Sequence, residues 1–588
     1  MQQPARSNHR RNRLGRFLSN PWVWLALAWA IGIVLGFAGL ARYARLNGDS
    51  TRLLDLFYLL LQLITLESGA VQLPIPWELE VARFALPALA AWTFVRTAMA
   101  IFRDQAARLS LWFWRDHIII CGLGHKGYLL ASDFLEAGQK VIVIEGDSQN
   151  DSIPSIRNMG GVVLLGDATD EQLLRQARIE RADTLFAVLG DDALNAEVAV
   201  RAESILCELD RLPLRCIIHI VDPDLWDVLR AWEFAGDCLL SLRLDLFNIY
   251  QRGAELMLSE FPLLSVDAPN EAGQPAALVV GLGSLGHHLV AQIAEQWFRA
   301  RRDTGKKIDM TVIDRDASSN LDLLKARFPC LGDVLSLRAF DLDVHSAAFL
   351  RGEYLLDNGS FEHLKRVYIC MDNDPLVLST ALTIKRHLSG VDATIVMRTF
   401  EENGLIQMVR LTSSTSEDMP TISEFLFVER TCTRQLLDSG THEKLARALH
   451  ENYLRSQENI EGSKKSLPGW DSLSEAVKNA NRSQADNIAQ ILTRSGFSMT
   501  LLRDWSEPAI TFSDHEIEVL AKSEHERWCQ ERRALGWRHA DGEKSEKDKT
   551  HPDLVSWDDL SESSREKNRA TVRAIPRLLH EASFKIER

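Results

Sequence analysis

The sequence predicts a helical membrane unit, then two Rossmann-like α/β units, then a duplicated helical segment. Three observations support this: an uncharged run of 25 residues, Phe17–Ala41, two glycine loops spaced as G-x-G-x-x-G between a strand and a helix, and a Trp-Asp-x-Leu-Ser-Glu segment that occurs twice in the last third. At roughly 150 residues per domain, 588 residues accommodate about four units.

Charge divides the chain into two parts. Residues 1–116 contain 13 arginines, no lysine and 7 acids, so the remainder carries a net charge of −20 within a total of −14. An acidic body argues against a nucleic-acid partner, because phosphate contacts need clustered Lys and Arg. The eight cysteines include no C-x-x-C pair, which predicts reduced thiols and neither a zinc site nor another metal site.

The uncharged run predicts the first membrane span, residues 21–41, after a basic cytoplasmic segment, residues 1–20. At 1.5 Å per residue the run exceeds the ~30 Å hydrocarbon core. The alternative, a cleaved signal peptide, usually has a shorter apolar region. A second span is predicted over residues 78–110, and the arginines after Phe102 place the following chain in the cytoplasm. We therefore expect a multi-pass protein of the inner cell membrane with both termini cytoplasmic.

Between the spans, residues 53–74 contain an apolar run that is too short to cross a bilayer. This run predicts a re-entrant pore helix, with an interfacial or buried helix as the alternative. The segment that follows resembles the T-V-G-Y-G filter of two-span potassium channels, and it consists of Thr65, Leu66, Glu67, Ser68 and Gly69. The resemblance implies a homotetrameric pore for monovalent cations. Because Glu67 and Ser68 replace a glycine and a tyrosine, potassium selectivity stays open, and a ring of Glu67 carboxylates is the alternative.

The first α/β unit is predicted over residues 117–265. A β-rich run precedes the first G-x-G-x-x-G loop, Gly122–Gly127. The next strand ends at Glu145, whose carboxylate can accept hydrogen bonds from ribose hydroxyls. With the G-D-A-T segment at 166–169, the unit resembles the RCK domain (also called KTN or TrkA-N) of potassium channels and transporters. The resemblance implies a regulatory nucleotide, NAD(H), ATP or ADP, and pairwise assembly into a gating ring. The implied binding residues are Gly122, Gly124, Gly127, Glu145, Gly166 and Asp167.

A second copy is predicted over residues 275–430. Its candidate binding residues are Gly281, Gly283, Gly286, Asp314 and Asp341. Phe340-Asp341 is interpreted as the counterpart of Gly166-Asp167 and lacks the glycine, so we expect weaker binding or an empty pocket. Leu240–Leu264 is predicted to be a crossover helix that docks neighbouring units. A tetramer would place eight such units in one ring.

Residues 440–588 contain an internal repeat. The His-Glu pairs at 450 and 525 differ by 75 positions, whereas the Trp and Asn-Arg positions differ by 87, which indicates a 12-residue insertion. Each copy is predicted to form two helices.

The second copy resembles the ryanodine-receptor repeat (RyR) domain in the stretches HERWCQERRALGW, THPDLVSWDDLS and NRATVRAIP. This resemblance implies a sensor of nucleotide-derived ligands. The candidate ligand residues are His525, Trp528, Trp537 and Trp557. The alternative is that these aromatic residues form the small core of the repeat.

Together these features predict a ligand-gated cation channel of the potassium type, with RCK and RyR parts that sense nucleotide-type ligands. An enzyme is not expected, because no proton donor stands in a supporting motif for nicotinamide chemistry. The alternative function is a membrane-anchored nucleotide sensor or defence effector that does not conduct ions selectively.

Overall fold

A computed structural model describes residues 21–47, 52–65, 75–207, 213–233, 241–263, 276–301, 306–355, 363–400, 420–438, 440–458, 469–542, 544–545 and 547–588. The chain divides into two compact units, Met1–Trp112 and Phe113–Arg588. The basic segment 1–20 and the filter-like residues 66–69 lie outside the described residues, so the predictions made for them stay predictions.

The described residues of the first unit include three long helices, α1 (Pro21–Asn47), α2 (Leu53–Ile64) and α3 (Trp77–Ser110). Gly39 lies where α1 meets α3, and a Cβ built there would be 2.5 Å from the backbone nitrogen of Leu79. Glycine at this position therefore lets the two helix backbones approach closely, as small residues do in membrane helix pairs. Trp29 Nε1 also donates a 3.0 Å hydrogen bond to Thr93 Oγ1.

Among the described residues, one helical stretch, Trp24–Leu46, is long and apolar enough to cross a membrane. It lies where the first span is predicted and continues a little further. The second span, within α3, stays a prediction. The 12-residue helix α2 occupies the place of the predicted pore helix and buries Leu56, Leu60 and Leu63. Thr65 caps its C-terminus, and the Thr65 hydroxyl donates to the carbonyl of Gln62.

The second unit begins with a parallel sheet of six strands in the order β3-β2-β1-β4-β5-β6. Its strands are nearly all apolar and buried, as expected for a parallel sheet that is covered on both faces. They are β1 (His117–Cys121), β2 (Val141–Glu145), β3 (Val162–Leu165), β4 (Ala182–Ala187), β5 (Leu214–His219) and β6 (Leu242–Phe247). The helices are α4 (His125–Glu136), α5 (Ile153–Asn158), α6 (Glu171–Gln176), α7 (Asp192–Leu206), α8 (Pro223–Glu233) and α9 (Ile249–Glu260).

A second parallel sheet has the same order, written from edge to edge as β9-β8-β7-β10-β11-β12. The strands are β7 (Ala276–Val280), β8 (Ile308–Asp314), β9 (Leu335–Asp341), β10 (Leu364–Ile369), β11 (Thr394–Thr399) and β12 (Thr421–Leu426). Helices α10 (Ser284–Arg301), α11 (Ala317–Arg327), α12 (Leu331–Val334), α13 (Ala347–Leu350), α14 (Asp374–His387) and α15 (Phe427–Thr431) accompany them. The shared strand order supports the predicted duplication of a Rossmann-like fold.

The segment Leu240–Leu264 is not one helix, which corrects the sequence prediction. Residues 242–247 form β6 at the edge of the first sheet, and the Asn248 side chain then caps α9. Helix α9 packs against the second Rossmann unit, where a Cβ on Gly253 would lie 2.3 Å from the ring of Phe427. The helix thus has the docking role expected of it, although it is shorter than predicted.

The C-terminal part contains helices α16 (Thr441–Glu458), α17 (Glu475–Arg494), α18 (Asp514–Ala534) and α19 (Glu562–Glu581). Each predicted copy supplies two of them. The part is not purely helical, however, because each copy ends in a short strand, β13 (Ser498–Leu501) or β16 (Phe584–Glu587), and these two pair antiparallel. A second, two-residue pair joins β14 (Arg538–His539) to β15 (Thr550–His551).

Candidate functional site

The first glycine loop joins β1 to α4 and has the backbone geometry that its motif requires. Gly122 has a φ of +99°, and a Cβ on Gly127 would lie 1.9 Å from the Gly122 carbonyl oxygen. Gly124, by contrast, faces open space at the start of α4. The loop therefore leaves backbone and the helix N-terminus accessible to a phosphate.

Glu145 lies beside this loop at the end of β2. Its Oε2 accepts a 2.6 Å hydrogen bond from the backbone N–H of Leu123, and its Oε1 accepts a 2.7 Å bond from that of Asp147. The carboxylate thus joins the glycine loop to the loop after β2. Its oxygens still have lone pairs that can accept hydrogen bonds from ribose hydroxyls.

Gly166 and Asp167 follow β3 at the same edge of the sheet. Gly166 has a φ of +147°, and its N–H donates to the Glu145 carbonyl at 2.9 Å. The exposed Asp167 carboxylate accepts from the backbone N–H and the hydroxyl of Thr169, at 2.9 and 2.8 Å, and these bonds lower its pKa. The parallel order of β1, β2 and β3 therefore brings the three predicted elements to one crevice.

Sequence reasoning missed two residues near the carboxyl end of β5. Lys126 Nζ lies 3.2 Å from His219 Nδ1, which accepts from the amine, and the Asn195 side chain donates to the His219 carbonyl at 2.9 Å. Burial, followed by the Lys126 charge, lowers the pKa of His219 to about 3, and burial also lowers the pKa of Lys126. Lys126 stands inside the glycine motif, which was the available signal, whereas nothing in the sequence pointed to His219.

The second glycine loop repeats this geometry. Gly281 has a φ of +91°, and a Cβ on Gly286 would lie 2.2 Å from the Gly281 carbonyl oxygen, while Gly283 faces open space. Asp314 Oδ2 accepts a 2.7 Å hydrogen bond from the backbone N–H of Leu282, as Glu145 does from Leu123.

The sequence interpretation of the loop after β9 was wrong, because Phe340-Asp341 is not the counterpart of Gly166-Asp167. Glu145 pairs with Leu165 in the first sheet and Asp314 pairs with Asp341 in the second, so Leu342-Asp343 is the counterpart of Gly166-Asp167. Asp343 accepts from the N–H of His345 at 2.8 Å, as Asp167 does from Thr169. Asp341 instead accepts from the N–H and hydroxyl of Ser318, at 2.8 and 2.7 Å, which lowers its pKa and caps α11.

Arg398 occupies the place of His219 in the second unit, as the strand registers show. Its guanidinium is fully buried, pairs with Asp372, and lies over the rings of Phe427 and Phe400 with Tyr250 further away, at 4.2, 4.3 and 5.8 Å. Tyr250 comes from α9 of the first unit. The second crevice is therefore filled by protein side chains at the point where the first holds Lys126 and His219.

The four aromatic candidates of the C-terminal part separate into two pairs. His525 and Trp557 are buried with ring centroids 5.7 Å apart, and Trp557 Nε1 donates to Glu518 at 3.1 Å. Trp528 and Trp537 are only partly buried, and the Arg532 guanidinium lies 5.9 and 5.1 Å from their rings. The buried pair fits the core alternative, and the outer pair remains a ligand candidate.

The two copies of the repeat share contacts as well as sequence. His450 faces Trp470 at 5.9 Å, as His525 faces Trp557. Arg482 binds both oxygens of Glu443, at 2.5 and 2.9 Å, and Arg569 binds both oxygens of Glu518, at 2.7 and 3.3 Å. The two glutamates were missed, although each stands seven positions before its histidine.

Two protein-family models match parts of this chain. The TrkA-N domain matches residues 118–235, over the first glycine loop and Glu145, and the RyR domain matches residues 511–588. The chain contains a TrkA-N domain and a C-terminal RyR domain. Both resemblances expected from the sequence are thereby confirmed.

Several curated proteins are related to this TrkA-N domain protein. Potassium channel protein 1 of Methanocaldococcus jannaschii is 29% identical over 92 residues, which cover 15% of this chain and 27% of the relative. A Trk system potassium uptake protein TrkA homolog of Pyrococcus abyssi is 32% identical over 107 residues, 18% of this chain and 44% of the relative. The glutathione-regulated potassium-efflux system protein KefC of Cronobacter sakazakii is 32% identical over 84 residues, 14% of this chain and 13% of the relative. The match thus spans less than half of each of these proteins.

Solved structures with similarity to the chain include two of GsuK. The GsuK channel bound to NAD gives a TM-score of 0.37 at 13% identity and covers 75% of this chain and 86% of that chain. GsuK bound to ADP gives a TM-score of 0.35 at 15% identity and covers 70% of this chain and 97% of that chain.

Proposed function

We propose that this protein is a ligand-gated cation channel whose TrkA-N domain senses an adenine nucleotide. The observation that carries the proposal is the first crevice, where Glu145 joins an accessible glycine loop to the loop that leads to Asp147. In the sequence, this domain follows the apolar helical unit directly, since only residues 111–116 separate α3 from β1. The named functions of the relatives, potassium channel, uptake and efflux proteins, support a role in monovalent cation transport.

The chemistry of the crevice favours NAD(H), ATP or ADP. The accessible backbone around Gly124 and the N-terminus of α4 favour phosphate oxygens. The Glu145 carboxylate accepts from ribose hydroxyls and repels a 2′-phosphate, which disfavours NADP. Asp167, held by Thr169, supplies a second carboxylate at the same edge.

Gating requires an assembly in which ligand binding changes the pore. We propose a homotetramer in the inner membrane with two spans per chain, eight Rossmann-like units in one ring, and cytoplasmic termini. A ligand shifts such a ring only if it binds the open and closed conformations with different affinities. The RyR domain is a second sensor in this scheme, and the partly buried Trp528 and Trp537 are its candidate ligand residues.

The test is ion flux through the full-length protein in lipid vesicles, measured with and without NAD, ADP and ATP. We expect flux that depends on one of these nucleotides, and loss of that dependence in Glu145→Ala. Asp314→Ala is the matched control in the second unit and should keep the dependence. The absence of flux under every condition would contradict the channel.

One observation favours a second function, a membrane-anchored sensor or defence effector that does not conduct ions selectively. Among the described residues, a single helical stretch meets the requirements of a membrane span. Nucleotide binding in a protein that conducts nothing, with Glu67→Gln indistinguishable from the natural chain, would support this function over the channel.

A further inference from the structure

A cavity of about 680 Å³ lies where both Rossmann-like units meet the C-terminal part, far in sequence from the glycine loops. Helix α8 contributes Asp227 and Arg230, the end of α11 contributes Ala326 and Arg327, and the β13–β16 ribbon forms a further wall. Cavities of this size commonly hold small ligands.

The wall formed by the ribbon is polar because of its register. Ser498 pairs with Glu587 and Thr500 pairs with Lys585, so these four residues share the face that lines the cavity. Residues on the other face, such as Ile586, are buried in the core of the C-terminal part. The ribbon therefore separates an apolar core from a wall of hydroxyl, amine and carboxylate groups.

Most charges in the cavity compensate one another. Arg503 pairs with Asp227, and Lys585 Nζ lies 2.8 Å from Glu587. Arg327 differs, because its side chain is exposed and none of the described carboxylates lies within ion-pair distance of it. One guanidinium thus remains to bind an anionic group, and phosphate matches its planar fork of donors.

We propose that this cavity binds a small monophosphorylated molecule rich in hydroxyl groups. Arg327 would bind the phosphate, while Ser498, Thr500 and Glu587 would exchange hydrogen bonds with the hydroxyls. The nearly balanced charge of the other lining residues does not favour a polyanion. Sugar phosphates and nucleoside monophosphates share the required chemistry.

The cavity is placed to link the sensor domains. Arg230 is buried, with its guanidinium 5.2 Å from the ring of Trp226 and 5.0 Å from that of Phe584 in β16. This stacking fixes the ribbon to α8 of the TrkA-N domain. A ligand that contacts both Arg327 and the ribbon bridges the second Rossmann-like unit and the RyR domain.

The experiment is isothermal titration of the full-length protein in detergent with ribose 5-phosphate, AMP and inorganic phosphate. We expect ribose 5-phosphate or AMP to bind, with the affinity reduced about tenfold or more in Arg327→Gln, since a charged hydrogen bond is lost. Ala326→Trp, which fills the cavity, should reduce binding similarly. Lys325→Gln, on the same helix but outside the cavity, should leave this binding unchanged.

Four results would overturn the proposal. The first is that neither organic phosphate binds, and the second is that Arg327→Gln has the same affinity for the organic phosphate as the natural chain. The third is that Glu145→Ala abolishes the binding, which would assign it to the TrkA-N crevice. Binding of inorganic phosphate as tightly as the organic probes would mean an adventitious ion only. Whichever organic probe binds more tightly identifies the source of the phosphate, and this outcome is independent of ion conduction.

Discussion

The two Rossmann-like units have the same strand order and the same glycine loop, but their crevices differ. In the first unit, Gly166 and Asp167 follow β3, and Lys126 and His219 lie near the end of β5. In the second, the corresponding positions hold Leu342, Asp343, Leu285 and Arg398. Arg398 and its aromatic partners fill the space that stays polar in the first unit.

This difference separates what the fold requires from what a ligand requires. The third glycine occurs in both units, because a Cβ at this position would collide with the carbonyl oxygen of the first glycine. Both units also have a carboxylate that accepts a hydrogen bond from a backbone N–H of the loop. The residues that change lie further along the crevice. We infer that the second unit keeps the fold and that its crevice serves mainly as a contact with α9 of the first.

The largest expected effect concerns the third glycine of the loop that both Rossmann-like units share. Gly127→Ala and Gly286→Ala each force a Cβ to within 1.9 or 2.2 Å of a carbonyl oxygen, so we expect each to lower the free energy of unfolding by at least about 2 kcal/mol. The measurement is urea unfolding of the full-length protein in detergent, followed by tryptophan fluorescence.

The matched controls are Gly124→Ala and Gly283→Ala, where the added Cβ meets no atom within 4 Å. These variants should be neutral or slightly stabilising. If Gly286→Ala were as mild as its control, the two loops would not share one packing requirement.

A pH-dependent difference is expected between His219 and Arg398. The pKa of folded His219 is about 3, below its ordinary value of 6.5, so between these values the unfolded chain binds a proton that the folded protein excludes. The neutral, buried His219 therefore contributes stability above pH 6.5 that is lost as the pH falls. We expect the free energy of unfolding to decrease by about 2 kcal/mol between pH 7 and pH 5 for this reason. His219→Gln should remove this part of the slope in unfolding experiments at the two pH values.

Arg398→Gln serves as the comparison, because arginine stays charged over the whole range. We expect it to destabilise the protein equally at pH 7 and pH 5, since the loss comes from its contacts with Asp372 and the surrounding rings. A slope unchanged in His219→Gln would show that other groups carry the acid sensitivity.

The fold was largely predictable, because its signals are local. Buried β-rich strands followed by glycine loops predicted both Rossmann-like units, and the second was recognised from Gly281, Gly283 and Gly286 between a strand and a helix. The segment at 240–264 was misjudged because β6 and α9 both mix apolar with charged residues and only Asn248 separates them. Short apolar runs do not distinguish strand from helix by periodicity.

The site was less predictable, because it depends on register and on distant contacts. Asp341 was predicted and Asp343 was missed, because the sequence does not show that β9 ends with Asp341 opposite Asp314. The contact between Lys126 and His219 joins positions 93 residues apart, and no motif connects them. Glu443 and Glu518, in contrast, could have been predicted from the internal repeat, because each lies seven positions before its histidine, His450 or His525.

The smallest expected effect concerns Gly166, where the two units differ by a glycine. Its φ of +147° is strained for any other residue, so Gly166→Leu, which copies the second unit, should destabilise the protein by about 1 kcal/mol. Because the loop presents Asp167, the affinity for NAD or ADP should also fall, as measured by titration. Leu342→Gly should not create a second nucleotide site, since Arg398 and its rings still fill that crevice. If Leu342→Gly doubled the number of nucleotides bound per chain, the loop glycine rather than the filled crevice would decide which unit binds.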